Sequence, residues 1–420
     1  MCFFEKHLRG GIIKKTILFA PETFNLAETT RSIEVAKKSA EHFTCVFVGY
    51  SEKYAYLIKE ANFTFIHLKP HLSERDIDQI MKVDQMKGIR HPFTYKMLKA
   101  RISSEKKIIE TYRPAAVVIG TTLSMFISAR ACHTPLIYIK PFAYTRTYFL
   151  KGHLELPSSL NKNYFPKELL KRIYTKTALR ITYKPRAFVK IAKEENVSLP
   201  KSTIDALDAD HNLITTIPEL SGVNDLPRNY TYIGPVFAKL ENQIPSFLTN
   251  LPKNRPVIYF AMGSSGSKEM IIRVLKALEQ LPYTIICPMK DKLGMLEANV
   301  AWNSNIHLCD LLPAHKLAGL IDLSIIHGGE GTVQTACLSG KPFIGIGLQQ
   351  EQLANIRDCV LYGNALELKK GHIATNSLDR LINYALQSSK MRERAIAMRE
   401  LLKDIDGPEN AAKFLVQKFY

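Results

Sequence analysis

Nowhere in this 420-residue chain does an apolar run approach the ~20 residues needed to cross a bilayer. The opening stretch, MCFFEKHLRGGIIKKTILFA, carries Glu5, Lys6, Arg9 and two further lysines ahead of an apolar run, Thr16 to Ala20, that is too short for the core of a signal peptide. A cytoplasmic protein is expected, with the option of touching a membrane from outside. Cysteine is sparse. The seven stand singly (Cys2, Cys45, Cys132, Cys287, Cys309, Cys337, Cys359), without a C-x-x-C pair and with an odd total, which argues against a disulfide framework or a zinc site. Internal repeats and low-complexity segments are also lacking, and 21 Gly with 21 Pro give no sign of disorder.

What is present is a long, folded chain. Its length exceeds what one hydrophobic core usually organises, so two domains are expected. In both halves short β-branched apolar runs alternate with longer amphipathic stretches, the pattern of strand and crossover helix in a parallel sheet. The strands read KTILFA, TCVFVGY, FTFIHL, AAVVIG and PLIYIK in the first half, and PVIYFAMG, YTIICPM, NIHLCD, LSIIHG and PFIGIG in the second. The expected fold is α/β, with two doubly wound, Rossmann-like domains facing across a cleft. The segment TTIPELSGVNDLPRNYTYIGPVF is punctuated by Pro and Gly and lacks helical period. Boundaries follow at 1–220 for the first domain, 221–237 for the linker and 238–420 for the second domain. The last helices have the option of packing back on the first domain.

In DLSIIHGGEGTVQTACLSGKP a strand ends near Ile326, Gly328, Gly329 and Gly331 leave a bare turn, and a helix opens near Thr332. Uncovered N–H groups at the positive end of a helix form a site for phosphate. His327 adds a donor. A tight turn in which the glycines serve packing alone is the competing reading. The next segment, PFIGIGLQQEQLANI, runs from a strand into Glu351, Gln352 and Asn355, an acid beside amides that can hold neighbouring hydroxyls of a sugar.

Together, H-G-G-x-G-T, then G-x-P, then E-Q-x-x-N resemble the nucleotide-sugar signature of the family 1 glycosyltransferases, whose fold is GT-B. The linker PEL…LPRN…YIGPV, the loop F-A-M-G-S-S-G and the stretch VVIGTTLSMFISAR extend that resemblance over nearly the whole chain. It implies that His327, Gly328, Gly329, Gly331 and Thr332 hold a donor diphosphate, faced by Gly263, Ser264 and Ser265 from the other side. Glu351 and Gln352 would hold the donor sugar. Leu311, Leu312, Gln334 and Thr335 would lie along the nucleoside. No cofactor is implied beyond a UDP- or dTDP-linked sugar as co-substrate, and no metal.

Three departures from the family pattern matter. Thr335 stands where many members place a glutamate on the ribose, and Gly347 stands where they place a proline. The family's G-H-x-x-P stretch, which carries the catalytic histidine, corresponds to LAETTR, so Glu28 takes the histidine's place and Arg31 the proline's. The partner aspartate's position is Gly120. Glu28 could serve as base without a partner, because a carboxylate has no tautomer to fix, provided that burial raises its pKa. The bland reading of Glu28 is a first-turn acid favoured by the helix dipole.

Charge adds a further question. Of the net charge of +18, residues 1–240 contribute 37 Lys and Arg against 22 Asp and Glu. Residues 140–190 interleave 12 Lys and Arg with aromatics such as Phe142, Tyr148, Tyr174 and Phe188, against only Glu155 and Glu168. A solvated face, contact with an anionic membrane or lipid acceptor, an acidic soluble acceptor and, least of all, nucleic acid compete to explain this. LDAD at 207–210 has the D-x-D spacing of a metal site in a different transferase architecture, but reads as a surface segment. The function expected is metal-independent, inverting transfer of a sugar to a hydroxyl of a small-molecule or lipid-like acceptor. A membrane-associated glycolipid or polyprenol type is one alternative. An inactive GT-B protein acting as a binding or activating partner is the other.

Overall fold

The computed structural model describes residues 14–84, 93–151, 166–240, 242–251, 254–263, 266–293 and 302–420, with the side chains of Asp84, Lys167 and Glu168 left aside. Ser264 and Ser265, and residues 152–165 of the basic stretch, lie outside them. The first sheet is built from β1 (Thr16–Ala20), β2 (Thr44–Gly49), β3 (Thr64–His67), β4 (Ala116–Ile119), β5 (Leu136–Lys140), β6 (His211–Ile214) and β7 (Tyr230–Tyr232) in the order 3-2-1-4-5-6-7. The second contains β8 (Val257–Ala261), β9 (Thr284–Cys287), β10 (Ile306–Leu308), β11 (Leu323–Ile326), β12 (Phe343–Gly345) and β13 (Ala365–Glu367) in the order 10-9-8-11-12-13. Every neighbouring pair runs parallel.

Each sheet is buried on both faces, as parallel sheets require. In β1, Ile17 and Phe19 point into one cluster with Ile33, Val35 and Ala36, while Leu18 and Ala20 join Ile109, Met125 and Phe126 on the opposite face. Side chains alternate along a strand, so one pentapeptide supports two helical layers. In β8 the same division separates Ile258 and Phe260 from Val257, Tyr259 and Ala261.

All ten expected strands form, and three more appear. β6 begins His-Asn, β7 reads Tyr-Thr-Tyr and β13 ends in Glu367, so polar residues interrupt all three and none shows as a clean apolar run. β7 lies inside the stretch 221–237 and closes the edge of the first sheet.

The chain crosses between the domains twice. The helix Gly407–Phe419 leaves the second domain, and its Ala411 and Leu415 enter the same cluster as Ile33, Val35 and Ala36 of the first. Asp406 caps it by accepting from the Glu409 N–H at 3.1 Å, and Lys38 reaches Asp406 at 3.3 Å. The second crossing lies against the first: a Cβ on Gly407 would come within 2.2 Å of the Pro235 carbonyl oxygen, and Asn410 Nδ2 donates to the Ile233 carbonyl at 3.0 Å.

Strand order reverses between β1 and β4 in the first sheet and between β8 and β11 in the second. Crevices open at the carboxyl ends of strands on either side of such a reversal, and ligands bind there. Glu28 lies at the first of these points, and Gly263 and His327 with its glycine turn lie at the second.

Candidate active site between the two sheets

β11 ends at Ile326, and the helix Glu330–Ser339 begins after His327, Gly328 and Gly329. Gly328 has φ 84°, and a Cβ there would lie 2.5 Å from Ile356 Cδ1 and 2.7 Å from the Gln352 carbonyl oxygen. A Cβ on Gly329 would lie 2.4 Å from His327 Nε2. These two glycines are therefore required by the protein's own packing. Gly331 is not: its nearest neighbour would be Phe237 Cβ at 3.5 Å. Among the described residues no side chain caps this helix, so its first N–H groups offer the positive end of the dipole.

His327 is 8% exposed, and its ring lies between the two glycine turns. A Cβ on Gly263, in the loop after β8, would meet its Cε1 at 2.4 Å. Its backbone N–H donates to the Ala261 carbonyl at 3.2 Å, and its Nδ1 is buried without a partner among the described residues. Burial, with the nearby Lys292 ammonium, pushes the imidazole pKa down to about 4. The ring is thus neutral at physiological pH and has a single N–H to donate. Lys292 itself, just beyond β9, donates to the Gly263 carbonyl.

On the facing side, Asn25 caps the helix Leu26–Ser39 by accepting from the Ala27 and Glu28 N–H groups. Glu28 is buried in its first turn, and its carboxylate fills the space over Gly120, where a Cβ would lie 2.1 Å from Oε2. Oε2 accepts from the Glu22 N–H at 3.1 Å and the Thr121 N–H at 2.9 Å, and Oε1 accepts from the Thr121 hydroxyl. Burial raises its pKa, and the Thr121 donors offset part of the rise. The carboxylate thereby joins the loops after β1 and β4, at the first sheet's reversal. The glycine at 120 leaves room for it.

The two sides touch. Arg31, one turn beyond Glu28, reaches Glu330 in the opposite helix at 2.6 Å, and both side chains are about nine-tenths buried. Thr215 gives its hydroxyl to Glu330 and accepts from Gln334 Nε2 at 2.6 Å through its carbonyl. Burial alone would lower the Arg31 pKa, but facing carboxylates, Glu330 first and then Glu351 and Glu28, outweigh it and keep the guanidinium charged.

The remaining residues line the second domain's side. Glu351 stands in the first turn of the helix Gln350–Tyr362 and accepts from Asn355 Nδ2 at 2.9 Å, while that amide also donates to the Gly328 carbonyl at 3.1 Å. Gln352 accepts from the Leu348 N–H at 3.0 Å and donates to Gln349 Oε1 at 2.6 Å. Thr335 turns its hydroxyl back to the Gly331 carbonyl at 2.8 Å. Leu311 is exposed, whereas Leu312 is buried beside Val257 and Leu317. In the D-x-D segment, Asp208 accepts from Lys140 Nζ and from the Tyr230 hydroxyl, each at 2.5 Å, and Asp210 accepts from the Leu136 N–H at 2.9 Å. Both carboxylates hold the first domain together.

Residues 187–414, just over half of the chain, match the sequence model of the family described as UDP-glucoronosyl and UDP-glucosyl transferase. The chain belongs to that glycosyltransferase family. It is a nucleotide-sugar-dependent transferase. It is 26% identical over 406 residues to a PGL/p-HBAD biosynthesis glycosyltransferase of Mycobacterium tuberculosis, a match covering 92% of this chain and 88% of the relative. A PGL/p-HBAD biosynthesis rhamnosyltransferase of Mycobacterium bovis is 24% identical over 403 residues, covering 92% and 84%. The crystal structure of the glycosyltransferase SnogD from Streptomyces nogalater superposes with a TM-score of 0.64 at 16% identity, covering 96% of this chain and 99% of that one. The fold of this glycosyltransferase is therefore GT-B.

Sequence reasoning passed over four participants: Arg31 as an ion-pair partner, Glu330, Thr121 and Lys292. A signal for the first existed. Glu28, Arg31 and Val35 recur at helical spacing on one face, so the two charged residues had to be buried along with the valine.

Proposed function

We propose that this glycosyltransferase moves a sugar from a UDP- or dTDP-linked donor to a hydroxyl of a small-molecule or lipid-like acceptor, with inversion and without a metal. His327, Gly328, Gly329, Gly331, Thr332 and Gly263, with Ser264 and Ser265, hold the diphosphate. Glu351 and Gln352 hold the sugar, and Leu311, Leu312, Gln334 and Thr335 line the nucleoside. The observation that carries this reading is the opposition of Glu28 at one sheet reversal and His327 at the other, brought together by Arg31 and Glu330.

The chemistry follows from that opposition. The acceptor oxygen attacks the anomeric carbon while its proton passes to the Glu28 carboxylate. The bond from that carbon to the diphosphate oxygen breaks, and its electron pair leaves with the diphosphate, whose charge is met by the helix N-terminus and the His327 N–H. Attack and departure on opposite faces invert the centre. Metal independence is supported by the ties of Asp208 and Asp210 to Lys140, Tyr230 and Leu136.

One further observation favours a membrane-associated acceptor. Leu169, Ile173, Ile181, Tyr183 and Val189 are exposed in the same stretch that carries Lys171, Arg172, Lys176 and Arg180, and basic groups beside apolar ones draw a protein to anionic lipid. Among the described residues no helix is long and apolar enough to cross a membrane.

A thermal-shift screen with UDP, dTDP and GDP, followed by transfer assays in EDTA with soluble acceptors and with acceptors in anionic vesicles, tests the proposal. A rise in melting temperature with UDP or dTDP and metal-free transfer are expected. The absence of any nucleotide shift would sink it.

A further inference from the structure

Two lysines, one at the carboxyl end of each sheet, lie within reach of each other's charge. Lys292 projects from the short helix Lys290–Leu293 beyond β9, at the carboxyl end of the second sheet. Lys53 lies in the segment after β2, at the carboxyl end of the first sheet, where its N–H donates to Ser51 Oγ at 3.2 Å. Among the described residues neither forms an ion pair. The charge whose field reaches Lys292 is Lys53, a like charge.

Lys292 also bridges the two glycine turns. Its ammonium donates to the Gly263 carbonyl in the loop after β8, and its field reaches the His327 ring in the turn after β11. An ammonium has three N–H donors, and Gly263 takes one. Two remain, beside an imidazole whose buried Nδ1 has no partner among the described residues and beside a helix N-terminus that none of their side chains caps. Apart from the Gly263 carbonyl and the imidazole nitrogen, the described groups converging on this point are donors or positive charges, and a partly buried lysine beside a second lysine is stabilised when an anion enters.

We propose that Lys292 and Lys53 clamp the diphosphate of the donor, one from each domain, and that Lys292 binds the departing anion directly. The inference rests on the donor-site reading above and adds to it two side chains that carry positive charge.

Burial, with Lys53, pushes the Lys292 pKa down to about 8 in the free protein. The titratable groups facing it are Lys53, from the segment after β2, and His327, at the end of β11. His327, at about 4, is already neutral above pH 7. Anion binding through Lys292 therefore weakens as pH rises from 7 to 9, by about tenfold for loss of one proton with this pKa. Arginine at 292 keeps its charge throughout that range.

Calorimetric titration of the full chain with inorganic pyrophosphate, UDP and dTDP at pH 7 and pH 9 tests this. Lys292→Gln is expected to weaken pyrophosphate at least tenfold at pH 7, and Lys53→Gln by a smaller factor. Lys292→Arg should stay within about threefold of the parent at pH 7 and bind more tightly than it at pH 9, a crossover that a merely structural tie to Gly263 would not produce. Unchanged pyrophosphate affinity in Lys292→Gln, or the same pH dependence in the parent and Lys292→Arg, overturns the proposal. Pyrophosphate binding through Lys292 without binding of either nucleotide would leave the clamp standing and remove the donor reading. No pyrophosphate binding by the parent removes both.

Discussion

Arg31 and Glu330 meet at 2.6 Å, one from each domain, in a place that solvent barely reaches. Glu330 is the variable residue of the H-G-G-x-G-T turn, and Arg31 replaces the family's usual proline, so the pair links the donor turn to the helix that carries Glu28. Removing one partner leaves the other charge buried and alone. Arg31→Met and Glu330→Leu are each expected to cost about 3–5 kcal/mol in urea unfolding, and the double change Arg31→Met/Glu330→Leu less than their sum. Additive losses would show that the two do not act as a pair.

Glu28→Gln preserves shape and should leave nucleotide affinity unchanged while lowering turnover by roughly 100-fold. Burial raises the Glu28 pKa, so the parent's rate is expected to climb with pH through a value above the ordinary carboxylate range. The same raised pKa means that Glu28 favours the folded state most at low pH and that this contribution fades as pH rises through the folded-state value. Unaltered turnover in the variant would return Glu28 to a purely structural role.

His327 works in the other direction. Its pKa falls to about 4 on folding, whereas an unfolded histidine takes up its proton near pH 6.5. Stability is therefore lost as pH falls from about 6.5 to 4, by up to about 3 kcal/mol, because the unfolded chain binds the proton first. In chemical denaturation at pH 7 and pH 4.5, His327→Gln should lose less stability than the parent over that interval. An equal loss would mean that other groups account for it.

Gly331 separates packing from binding. A methyl group there meets only Phe237 at 3.5 Å, and alanine favours a helix over glycine by about 1 kcal/mol, so Gly331→Ala should keep or raise the melting temperature. If the donor's phosphates approach this backbone, the same change should weaken UDP or dTDP binding several-fold by calorimetry. Gly328→Ala, with φ 84° and a neighbour at 2.5 Å, should instead destabilise the fold. Full nucleotide affinity in Gly331→Ala would place the phosphates elsewhere along the turn.

The parallel sheets were legible because strands buried on both faces show as unbroken apolar runs, as in TILFA and VIYFA. The glycine turn was legible as bare backbone, but its cause was not. Gly328 and Gly329 are dictated by Ile356 and by the His327 ring, contacts between segments distant in sequence or folded back on themselves. The cross-domain pair was hidden for the same reason, since 299 positions separate Arg31 from Glu330 and no local pattern links them. Lys292 sits in the charged triplet Lys290, Asp291 and Lys292, which reads as an ordinary solvated segment. Only the sheet order places its ammonium beside the Gly263 loop.

The return of the helix Gly407–Phe419 to the first domain governs how these proteins can be recombined. A chimera that takes its acceptor half from one relative and its donor half from another needs two junctions, one near Pro235 and one near Asp406. With a single junction, a foreign Ala411 and Leu415 would be set against Ile33, Val35 and Ala36. The two seams touch where Gly407 lies on the Pro235 carbonyl, so they must be cut from the same parent. Exchanging specificity in this architecture is thus a matter of matching this seam as well as a pocket.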